Sequence, residues 1–243
     1  MMQQKCQGFV VHHTRLSASR YIVHVFTEEE GQRALILRTS KKVTMVYLTP
    51  LCRVACELSG KQHQNLHQIR EIRLLDHNFD VAGNYLGLSL MHHWGWLIHQ
   101  SQPEGQEDAR VTRLLIHLMD FLARRQKAGK LLPGMMPHLN AYLETWLLVF
   151  AGVFSRDPQS LQWLLQDLAE NHGIRPAPWL PGDTDYTTQL FELKIEPFLD
   201  YALQWGALTR LHRALGDIWE HFLAKPIKTR ANLVHQFNER RLL

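Results

Sequence analysis

The sequence is poor in cysteine and has no long apolar run. Its three cysteines, Cys6, Cys52 and Cys56, are too few for a disulfide framework and suit a reducing compartment. We expect Cys52 and Cys56 to be buried thiols and not zinc ligands, because no second cysteine pair exists. The longest apolar run, residues 146–154, is far shorter than the about 20 residues that cross a bilayer. The first 15 residues lack a secretory pattern, so we expect a cytoplasmic protein.

Signatures of the common enzyme classes are also missing. There is no phosphate loop, dinucleotide fingerprint, His-Glu-x-x-His or nucleophile elbow. One pattern, Asp183 followed by Glu192 and Lys194, has the spacing of a metal-dependent nuclease, in which two carboxylates hold Mg²⁺ and a lysine steadies the attacking water. That chemistry needs a strand, whereas "QLFELKIEPFLDYAL" alternates poorly. We keep the nuclease as an alternative function.

Two groups of polar residues could be metal sites, and we expect neither to be one. Fifteen histidines are scattered along the chain; His92 and His99 share a helix face but lie about 10 Å apart along its axis, too far to bind one ion. Glu28–Glu30 stand between two apolar stretches and precede Gly31, which is typical of a hairpin tip. We therefore expect no metal and no cofactor.

The positive charge is concentrated in the first third of the chain. Up to His77 there are eleven Lys and Arg against six Asp and Glu, whereas the remainder is close to neutral. This distribution indicates a basic N-terminal module that faces a polyanion, with a merely solubilising surface as the alternative.

Short β-branched and aromatic runs in residues 1–78 predict a small barrel. They recur at intervals of about 8–12 residues between turn formers. Both faces of the run at Tyr21–Phe26 are apolar, which favours a closed barrel whose outside is partly covered. Pro50 inside the fourth run predicts an edge position or a bulge there. The predicted strands are residues 8–13, 21–26, 33–38, 44–58 and 66–75.

After Asp76 the apolar period becomes helical. Gly83 and Gly87 in the first helix predict close approach of a neighbouring helix. Asp157 and Gly173 should bound another helix as N-cap and C-terminal residue, with Pro158 at its first position. The predicted helices are residues 80–100, 108–126, 138–154 and 157–173, then two or three more within 187–237. The segment 138–154 is apolar on nearly every face and should be the buried central helix. The fold class is α+β, with a β-barrel domain at 1–78 and a helical domain at 79–243 without a zinc motif.

Several segments, in order, carry a family likeness. "KCQGFVVHHTRLSASRYIVHVFTEEEGQRALILR" (residues 5–38) resembles the N-terminus of the RecO family of bacterial recombination mediators, whose second strand ends in a Phe-Thr-Glu-Glu-x-Gly turn. "LTPLCRVACEL" and "LHQIREIRLL" resemble that family's fourth and fifth strands. The likeness reappears at "AYLETWLLVFAGVF" and at "KPIKTR" (residues 225–230), which resembles the family's near-terminal Pro-Leu-Lys-Ser-Arg.

The resemblance implies an N-terminal OB-fold and a non-enzymatic, nucleoid-associated mediator of DNA repair. Such a protein binds single- and double-stranded DNA, anneals complementary strands, and with RecR helps to load recombinase onto DNA coated by single-strand-binding protein. A protein-interaction adaptor that has lost DNA binding is a further alternative. The candidate backbone contacts are Arg15, Arg20, Arg33, Arg38, Lys41, Lys42, Arg70 and Arg73. Tyr21 and Tyr47 are candidates for base stacking, with a core role as the alternative. A candidate second basic patch, or a set of charges that neutralise a helix C-terminus, comprises Arg124, Arg125, Lys127 and Lys130.

The chain departs from the family pattern in three places. Only "LRTSKKVT" follows the third strand, where members have Lys-Gly-Ala-Arg and a longer basic loop. No cysteine follows Cys56, so the zinc that many members carry is not expected. "NAYLETW" stands where some members have basic residues that dock the acidic tail of single-strand-binding protein. A tail pocket here would take its charge from Arg124 and Arg125.

Overall fold

A computed structural model describes residues 4–39, 45–63, 66–174, 181–202 and 209–242. Contacts group the chain into two compact units, Met1–Lys127 and Ala128–Leu243. The first unit holds strands β1 (Lys5–Ser17), β2 (Arg20–Thr27), β3 (Gly31–Arg38), β4 (Arg53–His63) and β5 (Leu66–Asp76), then helices α1 (Phe79–Ala82), α2 (Tyr85–Ser101) and α3 (Ala109–Lys127). The second holds α4 (Met135–Phe150), α5 (Pro158–His172), α6 (Pro181–Glu192), α7 (Ile195–Ala202), α8 (Thr209–Leu223) and α9 (Lys228–Glu239). No helix in the described ranges has the length and hydrophobicity to span a membrane.

The five strands close into a barrel in the order β1-β2-β3-β5-β4. All neighbours are antiparallel except β3 and β5, which pair in parallel. Alternate residues of β2, namely Tyr21, Val23 and Val25, point into the core beside Leu35 and Leu37 of β3. A closed five-stranded barrel with this order is an OB-fold, so the predicted fold class is confirmed.

The predicted fourth strand is wrong in its first half. Met45–Leu48 forms a 3₁₀ helix, and β4 begins only at Arg53. Pro50 lies in the turn between them, because proline has no N–H to give to a ladder. Leu48 and Cys52 are buried in the barrel core, so this apolar segment fills the barrel instead of extending a strand.

Helix α2 packs on the outside of the barrel, which confirms the predicted partial cover. A Cβ on Gly95 would lie 2.6 Å from the carbonyl oxygen of Val11 in β1, so only glycine permits this approach. The predicted helix 80–100 is interrupted before Asn84, whose side chain accepts from the Gly87 N–H at 2.7 Å and caps α2. A Cβ on Gly87 would lie 2.1 Å from the carbonyl oxygen of Val81 in α1, as predicted for a close helix neighbour.

The helical predictions are mostly confirmed. Asp157 caps α5, and Gly173 ends it with φ +68°. Helix α4 is buried along nearly its whole length. Four helices, instead of two or three, occupy the described part of residues 181–239, because Leu193–Lys194 and the segment around Pro226 interrupt the apolar pattern.

A buried ion pair connects three helices of the second unit. Glu144 of α4 is fully buried, and its carboxylate accepts from the Arg230 guanidinium at 2.9 and 3.3 Å. The Asn140 amide donates to the same carboxylate at 3.0 Å, and Arg230 also donates to the His212 carbonyl. The arginine of "KPIKTR" is therefore a structural residue that joins α9 to α4 and α8.

Replacing Arg230 by alanine should destabilise the helical unit by about 3–5 kcal/mol, because the Glu144 charge would be left buried without its partner. Urea unfolding followed by tryptophan fluorescence measures this loss. Arg240→Ala, an exposed position just beyond α9, is the matched control and should unfold like the parent. Equal stability of the two variants would show that the pair does not hold the unit.

Candidate nucleic-acid interface

Arg20 and Arg38 form a cross-strand pair on the outer face at one end of the barrel. The register of β2 and β3 places them directly opposite each other. Their neighbours Tyr21 and Leu37 are buried, so alternation along the strands directs both arginines outward, where they are exposed. The Thr39 N–H donates to the Ser19 carbonyl at 2.9 Å and ties this end of β3 to the β1–β2 turn.

Arg15 lies at the same end of the barrel, opposite Tyr21 in the register of β1 and β2. It is exposed near the end of β1, and its Nε donates to the Ser17 carbonyl at 3.1 Å. The contact holds the guanidinium next to the β1–β2 turn, the turn that Arg20 follows.

Arg70 completes the group from the other side. Ile69 pairs with Leu58 and Glu71 with Glu57, so Arg70 is the extra residue of a β-bulge in β5 and is exposed. The parallel register runs through Ile36 and Gln68, and two residues farther along the two strands are Arg38 and Arg70. The same register therefore directs Arg70 towards the barrel end that carries Arg38. We call Arg15, Arg20, Arg38 and Arg70 the arginine surface.

The charge of the arginine surface is only partly offset within the described residues: Arg70 acts through space on the Glu57 carboxylate and contributes to its lowered pKa. None of its four members forms an ion pair there, and no Asp or Glu occurs in the sequence between Gly31 and Cys56. Like charges directly opposite on paired strands destabilise a sheet. A phosphate that bridges Arg20 and Arg38 would relieve this repulsion. Lys41 and Lys42 follow closely in the sequence but lie outside the described residues.

Arg33 and Arg73 do not join the arginine surface. The Arg33 side chain is only 12% exposed and is ion-paired with Glu30. Arg73 contacts Glu71 at 3.1 Å and Glu57 at 3.7 Å. A hydrogen bond from Lys5, together with the charges of Lys5, Arg73 and Arg70, lowers the pKa of the Glu57 carboxyl. Both arginines are therefore matched by nearby acids.

The arginine surface has no exposed Phe or Tyr beside it among the described residues. Tyr21 is buried and Tyr47 is half-buried against the core, so both proposed stacking residues belong to the barrel interior. No Phe or Tyr in the described part of the barrel is exposed, and residues 40–44 and 64–65 contain no aromatic residue. The half-buried pair Ile22 and Ile36 supplies the neighbouring apolar contact.

Glu28–Glu30 form a hairpin turn, as predicted. Thr27 pairs with Gly31, which has φ +64°, and the Thr27 hydroxyl donates to the Gly31 carbonyl at 2.9 Å. The turn lies at the opposite end of β2 from Arg20, about 23 Å away at the usual rise of a strand. At that distance its charges are largely screened from the arginine surface.

The comparison with known families agrees with this geometry. Residues 1–78 match the family model described as Recombination protein O N terminal. The barrel is a RecO-type N-terminal domain. The match covers about a third of the chain and supports a RecO-type recombination protein with a role in DNA recombination and repair. No curated protein matches the chain.

Outside the RecO-type domain, the basic residues near position 125 mark a helix end. Arg124, Arg125 and Lys127 occupy the last turn of α3, where cations favour the helix dipole. The Arg124 Nε donates to the Asp120 carbonyl at 3.3 Å, and the Arg125 guanidinium lies 5.3 Å from the Phe121 ring centroid. Lys130 is exposed and falls in the second compact unit. A second DNA-binding patch here stays a prediction.

The nuclease hypothesis is wrong in its geometry. Asp183 and Glu192 lie on one helix, α6, and not on a strand. Nine residues of helix separate them by about 13.5 Å along the axis, too far for one Mg²⁺. Asp183 is instead held by Arg210, whose guanidinium donates to it at 2.8 and 3.0 Å.

A histidine cluster between the barrel and α2 was not predicted. The His99 ring stacks on His12 with centroids 4.5 Å apart and lies 4.3 Å from the His24 ring. From the sequence we compared only histidines that share a helix. We missed this cluster because β1 and β2 supply two of the three rings. In the described part of the chain, no three His, Cys, Asp or Glu residues are placed to hold a metal ion.

Burial shifts two histidines of this cluster, His12 and His24, towards the neutral form. It lowers the pKa of His12 to about 4, with smaller contributions from the charges of His24, His13 and His92. Burial also lowers the pKa values of His13, His24 and His92. The Glu104 carboxylate lies 3.6 Å from His24, and Gln32 contacts His99 at 3.2 Å.

The first unit should therefore lose stability in mild acid. Because the folded-state pKa values are lowered, the unfolded chain binds protons first; stability is full above about pH 6.5 and falls as the pH drops towards 4. Thermal unfolding across this range measures the loss. His12→Gln removes one titrating group. It should therefore reduce the slope of the unfolding free energy against pH by at most about 1.4 kcal/mol per pH unit. The exposed His117→Gln is the control, and an equal slope in both variants would contradict the assignment.

Proposed function

We propose that the RecO-type barrel binds single- and double-stranded DNA through contacts between the arginine surface and the phosphate backbone. The observation that carries this proposal is the exposed cross-strand pair of Arg20 and Arg38, which forms no ion pair among the described residues and has Arg15 and Arg70 at the same end of the barrel. OB-folds use the face of strands 2 and 3 and the adjoining loops for oligonucleotides. The β1–β2 turn, beside Arg15 and Arg20, is one of those loops.

The chemistry of the surface favours phosphate over bases. A guanidinium presents two parallel donors to a phosphate and stays charged at any physiological pH. Ring stacking, which gives other single-strand binders about 1–3 kcal/mol per base, has no exposed Phe or Tyr in the described barrel to supply it. Binding by this surface is therefore independent of base sequence and sensitive to salt.

The same features suit annealing of complementary strands. Phosphate contacts cancel the repulsion between two backbones. Because the arginines contact phosphates and not base edges, the pairing edges of the bases stay free for a second strand. The protein then brings strands together without bond chemistry of its own.

The role of a recombination mediator extends this proposal on the family resemblance. In that role the chain acts with RecR to load recombinase onto DNA coated by single-strand-binding protein. The acidic tail of that protein would meet Arg124 and Arg125 at the end of α3. Burial of most of the central segment of α4, including Asn140 and Glu144, supports the choice of arginines outside that segment.

Replacing Arg20 and Arg38 together by glutamine should weaken DNA binding and flatten its salt dependence. Two lost phosphate contacts on single strands reduce the slope by about 1.4 log units per tenfold change in salt. Titration of labelled single-stranded DNA at several salt concentrations, with and without Mg²⁺, measures both effects. The matched control is the double variant Arg33→Gln with Arg73→Gln, whose side chains are already ion-paired. An equal loss of DNA affinity in the two double variants would show that the binding site is not the arginine surface. No DNA binding by the parent at low salt would favour the protein-interaction adaptor.

Replacing Glu28–Glu30 by glutamine should leave DNA affinity unchanged or slightly tighter, since the turn lies far from the arginine surface. The variant Glu28→Gln with Glu29→Gln is the control, because it keeps the Glu30–Arg33 ion pair. The same titration reads the result, with circular dichroism to verify folding. A folded variant that no longer binds DNA would place the triplet inside the site.

A further inference from the structure

Two of the three cysteines face each other across the seam that closes the barrel. Cys6 of β1 pairs directly with Cys56 of β4. Backbone hydrogen bonds bracket this position, from Leu58 N–H to the Gln4 carbonyl at 2.9 Å and from Val10 N–H to the Cys52 carbonyl at 3.0 Å. In an antiparallel ladder hydrogen-bonded pairs alternate, so Cys6 and Cys56 form such a pair, with Cα atoms about 5.5 Å apart. That spacing lies in the range of disulfides.

The two thiols are in contact, and they differ in character. The Cys56 thiol is buried in the core and donates a hydrogen bond to the sulfur of Cys6, which is half-buried. This bond and the Arg33 charge lower the pKa of the Cys6 thiol, against the opposing effects of burial and Glu30. The same bond and burial raise the pKa of Cys56. Cys6 is also the more exposed of the two, so a peroxide reaches it first; Cys6 is therefore the nucleophile of the pair, and Cys56 retains its proton.

A cavity of about 260 Å³ reaches both cysteines. Its wall includes Lys5, Glu57 and Arg73, so it is polar and charged. A water molecule occupies about 30 Å³ of liquid, so a molecule the size of hydrogen peroxide fits this space.

We propose that Cys6 and Cys56 are a reversible redox site, which a peroxide oxidises to an intramolecular disulfide between β1 and β4. The Cys6 thiolate attacks one peroxide oxygen; the O–O bond breaks, and the leaving hydroxide takes a proton to become water. The Cys56 sulfur then attacks the resulting Cys6 sulfenic acid, the S–O bond breaks, and the Cys56 proton leaves with the hydroxide as a second water. Two thiols and one peroxide thus give one disulfide and two waters, and a dithiol reductant reverses the step.

Cys52 does not take part. It is buried in the barrel core, and its thiol donates to the Tyr47 carbonyl at 3.5 Å. Burial raises the pKa of Cys52 to about 12, so it is a poor nucleophile. The chain thereby contains its own unreactive reference thiol.

The test is oxidation of the reduced, full-length chain with hydrogen peroxide, followed by alkylation, trypsin digestion and mass spectrometry. Trypsin separates the three cysteines into residues 6–15, 43–53 and 54–61. The expected product joins 6–15 to 54–61 with the loss of two hydrogen masses, leaves Cys52 alkylated, and disappears with dithiothreitol. Three retained thiols, a link to 43–53, or only intermolecular links would overturn the proposal.

Three variants identify the roles. Cys52→Ser should form the same disulfide as the parent. Cys6→Ser should form none and should not react with dimedone, which traps sulfenic acids, whereas Cys56→Ser should accumulate a dimedone adduct on Cys6. Circular dichroism verifies folding; if Cys56→Ser does not fold, the half-exposed Cys6→Ser decides, and a disulfide in that variant would refute the assignment. This inference is independent of DNA binding, which these measurements do not use.

Discussion

The whole first unit depends on the way β1 pairs with two strands at once. Its first part, Lys5–Phe9, pairs with β4, and its longer part, from Gly8 onward, pairs with β2. At the changeover a Cβ on Gly8 would lie 2.1 Å from the Phe26 carbonyl oxygen, so a side chain there would push β1 and β2 apart. Closure of the barrel thus requires glycine at one position of one strand. From that strand Cys6 faces β4, Val11 contacts α2, and Arg15 reaches the arginine surface.

The location of acidic partners divides the arginines into two classes. Arg230, Arg33 and Arg73 each have a carboxylate within reach and serve the fold or the local charge balance. None of the four members of the arginine surface forms an ion pair in the described structure, although Arg70 acts on the Glu57 carboxylate from farther away. The number of arginines is therefore a poorer guide to DNA binding than the number of arginines that are not already ion-paired. A paired arginine would have to break its ion pair before it could hold a phosphate.

Local patterns in the sequence were sufficient to predict most of the architecture. The alternation in Tyr21–Phe26, the Glu28–Gly31 turn and the Asp157–Pro158 helix start each follow from neighbours in the chain, and each was predicted correctly. The strand predicted at Met45–Leu48 was wrong because an apolar run is equally compatible with a strand and with a short helix that fills a barrel. The site was harder, because it depends on contacts between distant segments. Sequence could place Arg33 on a strand, but not the Glu30 side chain against it.

The histidine cluster also depends on contacts between distant segments, although the sequence contained part of the information needed to predict it. The predicted hairpin of β1 and β2 could have placed His12 beside His24 on the outer face, as the register now does. What it could not supply is His99, which arrives only because Gly95 lets α2 approach β1. A helix that covers one part of the barrel exterior leaves the other part, at the arginine end, open to solvent. In the described residues that open part carries charge without an exposed Phe or Tyr, which suits a ligand that is held by its backbone while its bases remain free to pair.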